Sequence, residues 1–357
     1  MARVGILGLP NVGKTTLFNA LTGLSAPTAP HPFSTAEPNV GVARVPDERL
    51  ERAGQLEKSA KVVHATLDLL DLPAMAPGGA GFGPQFFGRL REMEAVAVVL
   101  RAFPSDAVPD SDSGIDPVAQ AETLLLELAL ADAEVFLRRA DKTAREGMSD
   151  VSKRMAAETF AKAAALLSEG IALRAREWTE AQLDAFRDLT PLTLKPAVWV
   201  INVSEDATDP QALESAVAAV VPAGDVVVVV SALLEEEAAR LDPADRAELY
   251  EGFGLGEGAL TRVVRATYDA LGLISFFTVG PKESRAWTVR RGASAPEAAG
   301  KIHSDLERGF IRAEVVAINE VLAAGGWDAA KAAGKVRLEG KDYRVVEGDV
   351  LVVRFSV

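Results

Sequence analysis

Apolar positions along this chain follow two rhythms, and the changes between them divide it into parts. Short apolar runs at residues 4–7, 63–72, 95–101, 197–203 (AVWVINV) and 226–230 (VVVVV) read as strands. Helical spacing begins after the first run, at residues 16–22. This strand–helix alternation predicts an α/β fold with a doubly wound, mostly parallel sheet. Residues 103–117 are rich in Pro, Asp and Ser and predict a mobile loop. Residues 119–145 and 151–176 then carry Leu and Ala at helical spacing, broken at Gly147, which predicts an antiparallel helix pair. Strand-like sequence resumes afterwards, so the helical block reads as an insert in the α/β domain. A further unit starts near Leu273 and closes with short alternating strands at 343–346 and 350–355. The predicted organisation is an α/β domain over 1–117 and 196–272, a coiled-coil-like helical insert over 118–195, and a C-terminal domain over 273–357. No internal repeat is evident.

Composition narrows the function classes. At 357 residues the chain is too long for one ordinary core. Its longest apolar candidate, residues 226–234, contains Ser231 and is too short to span a bilayer. The N-terminus passes from Arg3 straight into a strand, without a signal-peptide layout. The absence of cysteine excludes disulfides, thiolate catalysis and cysteine-based zinc sites, and suits a reducing cytoplasm. A net charge of −13 argues against whole-surface attraction to nucleic acid, and nothing suggests specific DNA recognition.

The chemistry concentrates in Gly8-Leu9-Pro10-Asn11-Val12-Gly13-Lys14-Thr15, which fits G-x-x-x-x-G-K-[ST] between a strand and a helix. Such a loop turns backbone N–H groups onto a polyphosphate at a helix N-terminus, here those of Asn11 to Thr16. Lys14 would bridge the β- and γ-phosphates, and the Thr15 hydroxyl would bind Mg²⁺. The loop His31-Pro-Phe-Ser-Thr-Ala-Glu-Pro-Asn39 carries Thr35, which can reach the metal beside the γ-phosphate. Asp71 closes the strand before Leu72-Pro73-Ala74 and suits the carboxylate of the metal site. Asn202-Val203-Ser204-Glu205 follows the strand where nucleotide-binding domains place a base-reading loop, and Ser231-Ala232 would supply the other wall. Val203 and Glu205 stand where a guanine reader has Lys and Asp, and a mismatched guanine donor pair is costly in a buried site. ATP is therefore favoured, with GTP as the alternative.

These segments, with TLLLELALAD from Thr123, LTLKP from Leu192, SRAWTV from Ser284, IHSDLERGFIRAEV from Ile302 and RLEGKDYRVVEGDV from Arg337, run through nearly the whole chain. Together they resemble the YchF/Obg-like ATPases, a branch of the Obg-related P-loop NTPases. The resemblance implies a G domain, an inserted helical hairpin and a C-terminal β-grasp TGS domain. It implies ATP with Mg²⁺ as the cofactor set, and ribosomes as partners. Two positions depart from the family pattern: Pro73-Ala74 replaces Ala-Gly after the metal-site Asp, and Asp110 stands where the family carries a histidine. A stiffer hinge at 73–74 implies slow hydrolysis. His31 in the first switch loop is either a substitute for that histidine or a solvated side chain. A switch that binds ATP and scarcely turns it over is the alternative function. A P-loop kinase is disfavoured by the TGS-like tail.

From Arg138 to Arg176 the insert holds nine basic residues: Arg138, Arg139, Lys142, Arg145, Lys153, Arg154, Lys162, Arg174 and Arg176. The C-terminal domain adds Lys282, Arg285, Arg290 and Arg291. These could face ribosomal RNA phosphates without reading sequence, or form an ordinary solvated helix face. The expected molecule is a cytoplasmic, monomeric, ribosome-associated NTPase switch without membrane contact.

Overall fold

The computed structural model describes residues 2–26, 38–72, 82–104, 115–147, 150–252 and 258–356. Thr35, Pro73, Ala74, Asp110 and His31, all singled out above, lie outside these residues. Strands are β1 (Arg3–Leu7), β2 (Asn39–Val45), β3 (Val62–Val63), β4 (Ala65–Asp71), β5 (Ala95–Ala102), β6 (Ala197–Val203) and β7 (Val226–Val230), followed by β8 (Leu273–Thr278), β9 (Ser284–Arg290), β10 (Phe310–Ala317), β11 (Arg337–Glu339) and β12 (Asp349–Phe355). By packing, the chain separates into two units, Met1–Val42 with Asp68–Thr267 and Ala43–Leu67 with Tyr268–Val357.

The first sheet, among the described residues, has the order β2-β4-β1-β5-β6-β7. Its pairs β1–β4, β1–β5, β5–β6 and β6–β7 are all parallel. Strand β6 is buried along its whole length, as a central parallel strand covered on both faces should be. Because β4 and β5 flank β1 on opposite sides, the order reverses there, and the crevice at the carboxyl ends of these strands is where doubly wound sheets bind ligands. A core of Leu7, Leu90, Val98, Leu100, Leu124 and Trp199 packs beneath that edge.

The predicted helix pair forms as Pro117–Glu146 and Val151–Ser168 around its own cluster, with Phe136, Phe160 and Phe186 in mutual ring contact. Its second helix stops eight residues short of the position that spacing predicts. Gly170 takes φ +79°, the Ile171 N–H donates to the Leu166 carbonyl at 3.0 Å and that of Gly170 to Leu167 at 3.0 Å. This Schellman closure ends the helix whatever Leu and Ala spacing lies beyond it. The chain then forms the short helix Glu180–Arg187, set by a capping box between Thr179 and Gln182.

Two polar clusters fasten the helical segment to the sheet. Asp132, fully buried, accepts from the Leu192 N–H (3.1 Å), the Thr193 N–H (2.8 Å), the Thr193 hydroxyl (2.8 Å) and Arg91 Nη1 (2.8 Å). Arg174 forms a forked pair with Asp225, at 2.9 Å from Nε and 2.6 Å from Nη2, and the Trp199 indole N–H donates to the same carboxylate at 2.8 Å.

In the second unit, sheet order is β11-β10-β12-β8-β9-β3, with β10–β12 and β8–β9 antiparallel and β12–β8 parallel. Helix Ala295–Ile302 covers it through Ala295, Ala298 and Ala299 against Ile274, Phe276 and Val315. This mixed, helix-crossed sheet is the β-grasp arrangement. Residues 63–72, expected as one strand, divide at His64: Val62 pairs with Ser284 while β4 pairs with β1.

Candidate phosphate-binding site

The loop between β1 and the helix Lys14–Thr22 is shaped by residues that accept unusual backbone. Asn11 has φ +62° and Gly13 φ +92°, both left-handed, around a fully buried Val12. A Cβ on Gly13 would lie 2.3 Å from Asn202 Nδ2, and one on Gly8 would lie 2.5 Å from the Val99 carbonyl oxygen. Both positions therefore require glycine for space, and position 13 for its backbone angle as well. Helix Lys14–Thr22 lacks a side-chain cap at Gly13, so its first N–H groups remain available to an anion.

Lys14 is buried, and its ammonium donates to the Leu9 carbonyl at 2.8 Å. Burial pushes its pKa down to about 8, against the opposing pull of Asp71. Thr15 donates its hydroxyl proton to Asp71 Oδ2 at 2.7 Å. Asp71 is buried at the end of β4, one sheet position from Ile6 of β1. Asn39, at the start of β2, donates through Nδ2 to the same oxygen at 3.1 Å. Thr16 is half-buried in the first turn of the helix.

On the opposite side, Asn202, the penultimate residue of β6, is buried. Its Nδ2 donates to the Val12 carbonyl at 3.0 Å, and its Oδ1 accepts the Ala232 N–H at 3.0 Å. Asn202 thus braces the phosphate loop against the Ser231-Ala232 turn, with both ends of its amide on backbone partners. Ser231 caps the helix Ala232–Ala238 by accepting from the Leu234 N–H at 3.4 Å. Val203 is buried and Glu205 exposed. The structure therefore gathers Asn11 to Thr16, Asp71, Asn202, Ser231 and Ala232 along one sheet edge.

Residues 3–133 match the family described as 50S ribosome-binding GTPase. Residues 273–356 match the C-terminal family of YchF GTPases, described as a protein of unknown function. Ribosome-binding ATPase YchF of Bacillus subtilis (strain 168) is 42% identical over 364 residues, covering 99% of both chains. That of Escherichia coli O157:H7 is 40% identical over 362 residues, again with 99% of both covered. The chain belongs to the YchF family. Obg-like ATPase 1 of Oryza sativa subsp. japonica is 36% identical, with 99% of this chain and 92% of that one covered. The solved YchF GTPase of Schizosaccharomyces pombe superposes with a TM-score of 0.86 at 27% identity, over 99% of this chain and 97% of that one. The YchF fold, a P-loop NTPase domain with the family's C-terminal domain, is thus established for this chain, and nucleotide binding is the property the family carries.

Two YchF residues of this site escaped the sequence reading. Asn39 lies inside the quoted HPFSTAEPNVGV segment, but only its proximity to Asp71 reveals a role. Glu235 is almost wholly buried and accepts from the Tyr250 hydroxyl at 2.7 Å and the Ala259 N–H at 2.5 Å, anchoring the helix that begins at Ala232. Nothing in a Glu-Glu-Glu run marks its first member as buried.

The donor set around Asp71 fits Mg²⁺. That ion keeps several waters and takes one or two protein oxygens alongside phosphates. Among the described residues no group of three or more His, Cys, Asp and Glu side chains could form a closed protein cage. A hydroxyl and a carboxylate already in hydrogen-bond contact are what such an open site needs.

Proposed function

We propose that this chain is a Mg²⁺-dependent nucleotide switch that binds and slowly hydrolyses ATP, with weaker acceptance of GTP, and that associates with ribosomes. The observation carrying this reading is the juxtaposition of the glycine-shaped loop, Lys14 and the Thr15–Asp71 pair at the carboxyl edge of the sheet. The names of the relatives supply the ribosome and the ATPase activity. Bound Mg²⁺ would neutralise charge on the β- and γ-oxygens. Thr15, Asp71 and Thr35 would hold the ion. Lys14 would leave the Leu9 carbonyl for the phosphates, and the N–H groups of Asn11, Val12, Gly13, Lys14, Thr15 and Thr16 would receive their oxygens. The backbone at Ala74 would sense the terminal phosphate.

Base choice would fall to the Val203–Glu205 turn and the Ser231-Ala232 wall, with Asn202 fixing their position. Glu205 is exposed and one methylene longer than the Asp of a guanine reader, which supports adenine. Residues 1–117 with 196–272 would form the catalytic domain. The helical insert (118–195) and the β-grasp TGS domain (273–357) would meet ribosomal RNA or protein through basic side chains. The molecule would act as a cytoplasmic monomer, and no helix among the described residues is long and apolar enough to cross a membrane.

Calorimetric titration with ATP, ADP, GTP and GDP, each with and without MgCl₂, tests the reading. Adenine nucleotides should bind more tightly, and magnesium should strengthen the triphosphate most. A preference for GTP, or no binding at all, would overturn it. Slow turnover is tested by Ala74→Gly combined with Asp110→His, which should raise the rate; an unchanged rate removes these two positions as the cause.

A further inference from the structure

We propose that Asn39 is a positioning residue for the metal-site carboxylate, its side-chain amide fixing the orientation in which Asp71 and Thr15 together receive a divalent ion. The proposal rests on the site reading above and extends it to a third segment, the first residue of β2.

Both Asn39 Nδ2 (3.1 Å) and Thr15 Oγ1 (2.7 Å) donate to one atom, Asp71 Oδ2. An ionised carboxylate has no proton to give, so the amide must present its NH₂ end. Asp71 is buried, and its charge sits beside the buried ammonium of Lys14. A carboxylate in that setting has few ways to turn without losing a donor that water cannot replace. Two donors, one from strand β2 and one from the helix Lys14–Thr22, converge on that oxygen and hold the carboxylate's orientation. Asn39 and Asp71 lie on β2 and β4, which are neighbours in the sheet, so the geometry is set by backbone and not by a long mobile side chain. The side chain's length matters: glutamine adds a methylene, serine falls short, and aspartate would set one carboxylate against another.

Partners that hold a ligating carboxylate in place typically contribute 10–100-fold to metal affinity. The measurement is the Kd of a fluorescent ADP analogue in excess EDTA and in excess MgCl₂, read as the ratio of the two. Wild type should show a ratio well above one. Asn39→Ala should leave the EDTA value unchanged and cut the ratio by about tenfold. Asn39→Asp should do the opposite. Two facing carboxylates repel until a cation joins them, so its ratio should exceed wild type, and MgCl₂ without nucleotide should raise its melting temperature more than that of wild type. The proposal is overturned if Asn39→Ala keeps the wild-type ratio, or if both variants weaken binding equally in EDTA and in magnesium, as loss of a mere strand staple would. A wild-type ratio of one would sink the site reading itself, and the Asn39 assignment with it.

Discussion

Replacing Asp132 by alanine should loosen the return of the helical insert to the sheet by a predictable amount. The carboxylate is fully buried and serves four donors: the amides of Leu192 and Thr193, the Thr193 hydroxyl and the guanidinium of Arg91. Removing one member of a buried pair costs about 3–5 kcal/mol, because the partner charge is left without compensation. Arg91 retains some compensation from the carbonyls of Ala131 (3.2 Å) and Thr190 (3.1 Å), which argues for the lower half of that range. Part of that figure is the Leu192 and Thr193 amides losing their acceptor, an effect of about 1–3 kcal/mol each where no water enters. We expect about 3–4 kcal/mol for local opening, which at about 1.4 kcal/mol per decade is an acceleration of roughly 100-fold to 1,000-fold. Native-state hydrogen exchange at the Leu192 and Thr193 amides reads this directly, since their protection reports the opening of that segment. Asp132→Asn keeps the shape and one acceptor oxygen and should fall between wild type and alanine. An acceleration below about tenfold in the alanine variant would refute the reasoning, because it would mean the four bonds contribute no more than a typical surface pair.

Lys14→Ala should abolish nucleotide binding while leaving the circular dichroism spectrum unchanged, and retained ATP affinity would remove the lysine from the site. Burial pushes both Lys14 and Lys195 down to about 8, Lys195 with help from neighbouring Arg91. A cation whose pKa is lower folded than unfolded penalises folding in full below the folded value, so stability should rise as pH climbs from 8 towards 10.5. ATP affinity should move the other way, falling about tenfold per pH unit above 8 as the free lysine loses its proton, and a flat pH profile would contradict this. Gly13→Ala sets a Cβ 2.3 Å from Asn202 Nδ2 at φ +92°, so it should cost about 1–2 kcal/mol in strain and eliminate nucleotide binding, measured by thermal melts and calorimetry. Charge reversal at Arg138, Lys142 and Arg145, which line one surface of the insert, should weaken ribosome co-sedimentation and flatten its salt dependence.

The phosphate loop was legible because its chemistry is local: glycines at 8 and 13, then Lys14 and Thr15, do their work within one turn of chain. The parallel strands were legible for a similar reason, as continuous apolar runs. What the chain did not disclose depends on partners remote in sequence. Val63 looks like the opening of β4, yet it pairs with Arg285, as Val62 does with Ser284. The helix Glu48–Leu56, capped by Asp47, passed unnoticed between two louder signals. The end of the second insert helix turned on a positive φ at Gly170, which apolar spacing does not report. Asn202 reads in sequence only as part of a base-reading loop; that its amide also spans Val12 and Ala232 appears only when β6 is laid beside the phosphate loop.

The C-terminal unit borrows residues 43–67 from the middle of the other unit's sequence, and this has a consequence for biosynthesis. Val62 and Val63 leave the ribosome early, but Ser284 and Arg285 are made more than two hundred residues later. At about 5–20 residues per second, the borrowed segment waits on the order of 10–40 s before its neighbours exist. Throughout that interval Glu57 lacks the Trp327 amide it will accept from at 2.6 Å, and Arg49 lacks the Glu347 carboxylate it will meet at 2.5 Å. A nascent chain halted before residue 284 therefore carries a helix and a short strand without their partners, and trimming the protein at the unit boundary would recreate that orphan permanently.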